Sequence, residues 1–397
     1  MRGEQDGDVD VIWPGPGSSA RVSGPSETGA VECPGFVDHH AHLLRAAAGV
    51  PFPWQGSSVL AFHEHVAADG STPMDVPEPP PPHQPAAMAA RLHRGLATAA
   101  QAGLVEVTEM GMRDWWYLDA LTTLQRRGPL PVRLRVYLAS GLAEKASLAE
   151  LDARRADAGA WVSLDGIKFY ADGWLVPRTC ALRDRFADQA GTGILFTDAA
   201  TLARRAEPFA ARGWRIATHA IGDRGVAVVL DAYAMIWGGD GAAIASAAPR
   251  IEHGSIQSAD LVARCSELGV AVCVQPSFAV TDAAQVPVAL GAGREPAAYP
   301  WTALAAAGVR MLAGTDYPIE VIEPLTGLAR LVRGRSDRPG FGTDGTAPPH
   351  SRLPLDLAFA LATDGAAGTT RLTADPRSCP AEHLDRIEVL GTIPAPF

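Results

Sequence analysis

The sequence is poor in cysteine. Five thiols (Cys33, Cys180, Cys265, Cys273 and Cys379) are scattered over 397 residues, with no CxxC pair among them. That speaks against a disulfide framework and a structural thiolate site, and fits small buried side chains in a reducing, cytoplasmic setting. A run of lysine and arginine is also missing. The 34 basic residues face 44 acidic ones, for a net charge of -10, so no nucleic-acid partner is expected. No apolar stretch is long enough to span a bilayer, and "MRGEQDGDVDVIW" has no signal-peptide core. The partner expected is therefore a small-molecule substrate, with neither membrane nor nucleic acid; a homo-oligomer is left open. The sequence lacks, finally, a glycine-rich phosphate loop after its first apolar run. "HHAHLLRAAAG" stands there instead, which argues against a doubly wound nucleotide-binding sheet.

What is present is alternation. The chain is 47% hydrophobic and 20% charged, and its length can bury a large core. Short apolar runs that end in polar residues alternate with longer Ala/Leu/Arg stretches of helical character, the pattern of repeated βα units and a parallel sheet. Eight strand candidates can be counted, at 34–40, 103–110, 132–139, 165–171, 213–220, 249–254, 269–277 and 308–317. Segments such as "QPAAMAARLHRGLATAAQAG", "DAATLARRAEPFAARG" and "SADLVARCSELG" lie between them, closed by glycines suited to helix C-caps. Eight such units predict an α/β fold of the (β/α)8 TIM-barrel type over residues 34–384. Residues 1–33 and 385–397 read as short β pieces that together form a small appendage. The proline-rich stretch 51–85 ("PEPPPPHQP") fits a loop over the barrel mouth.

Polar residues recur at the ends of these strands. In "ECPGFVDHHAHLLR", His40 and His42 are two apart, so an extended backbone points both to one side while His39 points away. Lys168 lies within the fourth strand, His219 ends the fifth, His253 the sixth and Asp316 the eighth. Each alone is compatible with packing or capping. Four imidazoles, a lysine and a carboxylate at corresponding points of separate repeats are not, because burying them together without a metal is costly. All six converge on the C-terminal barrel face, where barrel enzymes do their chemistry.

The blocks "PGFVDHHAH", "GIKFYADGWL", "THAIGDRGV", "RIEHGSIQ", "VCVQPSF" and "AGTDYPIE", in that order, resemble the amidohydrolase superfamily. The resemblance is to its YtcJ-like branch, of the amidohydrolase 3 type, which includes N-substituted formamide deformylases. It implies that His40, His42 and Asp316 hold one divalent ion. His219 and His253 would hold a second, or contact substrate if one ion binds. Lys168 would carry CO2 as a carbamate between them, since a carbamate supplies anionic oxygens where an ammonium would be repelled. Imidazole and carboxylate without thiolate suit zinc, with manganese, iron or nickel open.

The resemblance further implies a hydrolase of the C–N bond of a small amide, acting through metal-activated water, with catalytic roles for Asp316, His219 and His253 and Asp316 as general base and acid. The superfamily's mononuclear deaminases differ in carrying an H-x-x-E motif and lacking the strand-four lysine. Here Asp223, four residues past His219, fits a helix cap or an orienting partner of His219 better than a proton shuttle. Deamination, or another non-amide hydrolysis, is the alternative; a non-catalytic scaffold is disfavoured because all six ligand positions are filled. Tyr170, Trp174, Arg178, Gln275 and Tyr317 are candidate substrate-binding residues, Arg178 as a partner for a substrate carboxylate; Trp115 and Trp116 have weaker standing. Two departures from the branch stand out. The insertion after strand one is only about forty residues, with Trp54, His63 and His65, and the short C-terminal part predicts no full β-sandwich.

Overall fold

Each of the eight apolar runs forms a strand in the computed structural model, which describes residues 30–50, 85–338 and 345–397. They are β1 (Val31–Ala41), β2 (Leu104–Met112), β3 (Arg133–Ala139), β4 (Val162–Tyr170), β5 (Arg215–Ala220), β6 (Arg250–His253), β7 (Ala271–Val274) and β8 (Met311–Ala313). Neighbours pair in parallel and in chain order. Parallel strands need crossovers, and the helical segments supply them. The helix Pro85–Gln101 buries Met88, Ala89, Leu92, Leu96 and Ala99, one face at helical spacing. The helix Ala259–Leu268 stops at Gly269, whose φ of 66° is the left-handed conformation that glycine adopts without a Cβ penalty. Strands covered by helices read as near-continuous apolar runs, and every residue of β2 is buried.

The first and last parallel strands meet at their C-terminal ends. The Asp316 amide donates to the His40 carbonyl at 2.6 Å and the His42 amide to the Tyr317 carbonyl at 2.7 Å, with Ala41 and Tyr317 bridged in parallel. Gly314 permits this approach, since a Cβ there would lie 2.5 Å from the His40 amide nitrogen. The architecture is TIM-barrel-like. At the opposite ends of the strands, Glu106 accepts from Arg133 and from Arg135, and Asp165 from Arg135 and Arg215. That face carries a charge network, and the Lys168 amine and Asp316 Oδ1, buried without hydrogen-bond partners, belong to the other end.

The sheet extends beyond the eight strands. The N-terminal half of β1 pairs antiparallel with β9 (Thr363–Leu372), and β9 with β10 (Val389–Pro394). The strand expected in 385–397 is thus present as β10. Its partner is β9, which the sequence reading left inside the barrel unit; "TDGAAGTTRL" has four small residues in a row and no apolar alternation. The other part of the expected appendage, residues 1–29, lies outside the described residues, as do 51–84 with Trp54, His63 and His65. Among the described residues no single helix is long and apolar enough to cross a membrane.

Candidate metal centre

Strand ends deliver the side chains. His40, His42, Lys168, His219, His253 and Asp316 all line one cavity of about 280 Å³. His39 does not; its carbonyl accepts from Arg250 at 2.6 Å. Asp316 Oδ1 lies 3.3 Å from His40 Nε2 and 3.2 Å from His42 Nε2, yet it has no hydrogen bond although it is buried. Ligand atoms of His40, His253 and Asp316 all fall within 4.8 Å of one another. The His253 ring sits 4.9 Å from that of His40 and 4.5 Å from that of His219, centroid to centroid. The Lys168 ammonium nitrogen is buried without a hydrogen-bond partner, 5.2 Å from the Tyr170 ring centre.

Backbone strain marks the same places. Of five non-glycine residues with positive φ among the described ones, two are His253 (74°) and Asp316 (57°). Such conformations cost on the order of 1–3 kcal/mol each and persist where surrounding structure imposes them, often at functional sites.

Each inner imidazole has one nitrogen tied down. His40 Nδ1 donates to Glu252 Oε2 at 2.5 Å, His253 Nδ1 to Gln275 Oε1 at 2.7 Å, and His219 Nε2 to the Gly173 carbonyl at 2.9 Å. Gln275 Nε2 donates in turn to the Cys273 carbonyl, which turns the Gln275 oxygen toward His253. On His253 and His219, which burial keeps neutral, the nitrogen left over keeps its lone pair, the state a metal ligand needs.

The charges agree. Burial pulls His42 down to about 4 and His253 to about 3, and holds His219 well below the usual range, so these rings are neutral. Burial opposes ionisation of Asp316, but His40 and His42 outweigh it and hold the carboxyl well below its ordinary value. In His40 burial acts downward and Asp316 upward, and the net shift is upward. A site that draws a proton onto one imidazole in this way is equally suited to a cation. Burial also brings Lys168 down to about 8. The neutral imidazoles of His42, His219 and His253, an ionised carboxylate with an orphan oxygen and an orphan amine fit a divalent metal of the zinc type, with no thiolate lining the cavity among the described residues.

The remaining candidates divide. Tyr170 and Trp174 line the cavity; Arg178, Gln275 and Tyr317 do not. Arg178 corrects the sequence reading most plainly, because its guanidinium is committed to Asp188 (2.8 Å), Gln285 and the carbonyls of Leu175 and Val176, leaving no arm for a substrate carboxylate. Gln275 holds His253 through its side-chain oxygen. The Tyr317 backbone joins β1 through His42. Trp115 lies under Arg154 and Trp116 stacks on Tyr117. Asp223 opens the helix Asp223–Ile236 and accepts from the Arg183 amide.

Three carboxylates escaped the sequence reading. Asp38 accepts from the His40 amide and from the Thr315 amide and hydroxyl, stapling β1 to the segment that carries Asp316. Asp172 accepts from the Ala181, Ile221 and Gly222 amides, 3.6 Å from His219 Nε2. Glu252 holds His40. All stand inside the quoted motifs, and an acidic residue in or beside an otherwise buried strand was the available signal. The outer cavity wall is apolar (Leu175, Val176, Phe196, Ile221, Phe278 and Ile319) with the carboxyls of Asp282 and Glu320 set in it.

Comparison with known proteins gives the same direction. The Amidohydro_3 model, described as "Amidohydrolase family", matches residues 67–375. Over 214 residues the chain is 30% identical to the putative amidohydrolase YtcJ of Bacillus subtilis (strain 168), covering 53% of this chain and 39% of that protein. Over 175 residues it is 26% identical to the protein LONG AFTER FAR-RED 3 of Arabidopsis thaliana, covering 44% and 30%. The matches thus span well under half the length of these relatives. A metal-dependent hydrolase from Pyrococcus furiosus superposes with a TM-score of 0.65 at 20% identity, over 92% of this chain and 85% of that one. Atrazine chlorohydrolase TrzN from Arthrobacter aurescens TC1, solved with zinc, gives 0.51 at 13%, over 92% and 82%. These two likenesses are of fold.

Proposed function

The chain belongs to the amidohydrolase family, and from that premise we propose that it hydrolyses the C–N bond of a small molecule: an N-formyl, N-acyl or cyclic amide. The residues that would hold its divalent metal, zinc by donor chemistry, are His40, His42, Lys168, His219, His253 and Asp316. The observation that carries the reading is the convergence of Asp316 Oδ1 on two imidazole nitrogens, 3.3 Å from His40 Nε2 and 3.2 Å from His42 Nε2. The backbone bonds joining β1 to the segment after β8 support a (β/α)8 barrel with this cluster at its C-terminal face.

A bound divalent ion supplies a Lewis acid that polarises a carbonyl and acidifies water. Asp316 is ionised and sits at the cavity floor, so it can take a proton from the attacking water and return it to the leaving nitrogen. His253 has its Nδ1 hydrogen committed to Gln275 and none on Nε2, which suits a ligand better than a donor to a carbonyl oxygen. His219 is in the same position through Gly173. Lys168, brought down to about 8, yields the free amine that CO2 requires more readily than an ordinary lysine: the nitrogen lone pair bonds to carbon and one proton leaves to solvent, giving a carbamate. The apolar outer wall excludes bulk water and favours substrates with an apolar body and no carboxylate, since Lys168 is the only cationic side chain lining the cavity among the described residues. The five free cysteines support a cytoplasmic setting.

A panel of small amides with zinc and bicarbonate tests this. Uncharged formamides and N-acyl amines with apolar substituents are expected to release formic or carboxylic acid, and to be preferred about tenfold or more in kcat/KM over analogues bearing a carboxylate. Ammonia release from ring amines, with every amide left intact, would instead establish deamination.

A further inference from the structure

Glu252 is fully buried on β6 and divides its two carboxylate oxygens between different strands. Oε2 accepts from His40 Nδ1 on β1 at 2.5 Å, and Oε1 accepts from Arg250 Nε at 2.5 Å. Arg250 extends its other arm to the His39 carbonyl at 2.6 Å, and its guanidinium lies 4.9 Å from the Tyr137 ring centre. The three residues form one chain, Arg250–Glu252–His40, that runs beneath the cavity and ends on a ring that lines it.

We propose that Glu252, paired with Arg250, is the positioning residue that makes His40 a metal ligand. This rests on the metal-dependent reading above. A carboxylate can only accept, so the shared hydrogen belongs to His40 Nδ1, and Nε2, which faces Asp316, is the atom left for a metal. An acceptor of this charge makes the ring a stronger base at Nε2 and fixes its plane. A lone carboxylate at this depth would be prohibitively desolvated, and Arg250 is the cation that compensates it. One Glu252 oxygen goes to the guanidinium and the other to the imidazole, so the pair reaches a ring that lines the cavity. The Arg250 tether to the His39 carbonyl sets the height of β1, so it positions the same ring a second time, through the backbone. Cys273 also lies within reach of His40 and Glu252, but the guanidinium on Glu252 repels a cation from that corner, which leaves Nε2 as the ligating atom.

The test uses the full chain, zinc affinity by competition with a chelator, and the visible spectrum of the cobalt(II) form. Glu252→Gln is expected to bind zinc about 10- to 100-fold more weakly and to alter the cobalt spectrum. Because that variant leaves Arg250 uncompensated, the double variant Arg250→Gln/Glu252→Gln removes both charges together and is checked by far-ultraviolet circular dichroism. A folded double variant with the same loss of affinity supports positioning. A folded double variant with wild-type affinity and an unchanged cobalt spectrum overturns the inference and leaves the metal-dependent reading standing. A wild-type chain that takes up no metal overturns both.

Discussion

Asp316→Asn is expected to lower kcat by about 10²- to 10⁴-fold, the range associated with loss of a positioned proton carrier, while metal content stays near the wild-type value. The two effects separate because the amide keeps an oxygen where Asp316 Oδ1 stands between His40 Nε2 and His42 Nε2, and so keeps a ligand. It loses the basicity. The backbone at this position is held by its bond to the His40 carbonyl and by a positive φ, and asparagine tolerates that conformation better than most residues. KM should change little, since apolar side chains make up the outer wall. Steady-state kinetics alongside elemental analysis reads both quantities. Near-normal turnover with full metal would remove Asp316 from the proton path.

The second large effect is at Lys168. Replacement by Met keeps the buried stem and removes the nitrogen, and is expected to cut activity about 10³-fold, as befits several kcal/mol of lost Lewis-acid stabilisation. Fewer metal equivalents should be retained. The wild-type residue carries its own signature. With its value near 8 instead of 10.5, the free amine is the minor form at pH 6.5 and the major form at pH 8.5. Carbamate formation needs the free amine and releases a proton, so it rises with pH. In the metal-free wild-type chain supplied with ¹³C-bicarbonate, a carbamate resonance should grow over that interval; in Lys168→Met it should be missing at every pH. An unmodified Lys168 throughout would favour a single ion held without it.

Much of this centre was legible in the sequence because it is built on strands. Period-two geometry decides that His40 and His42 share a side and His39 does not, and strand ends fix where Lys168, His219, His253 and Asp316 meet. Alternation of apolar runs with glycine-stopped helices gave all eight strands, each to within a few residues of its observed bounds. What stayed illegible depends on partners distant in sequence. Glu252 and His40 are 212 residues apart, and no local pattern announces that a glutamate in "RIEH" reaches an imidazole in "DHHAH". Arg178 shows the converse. It follows the right strand and has the right chemistry for a carboxylate ligand, but Asp188 and Gln285 claim it from other loops. Strand β9 was missed for a third reason, since its place is secured by pairing with β1 and β10 and not by its own composition.

The central claim is that these six side chains hold a catalytic metal. It is tested most directly by metal analysis of the full chain after exposure to zinc and bicarbonate, with the ion then located by anomalous scattering. The account predicts one or two equivalents per chain, at the point shared by His40, His42 and Asp316 and next to His219, His253 and Lys168. A chain that remains metal-free under those conditions, or that places its ion elsewhere, would contradict it.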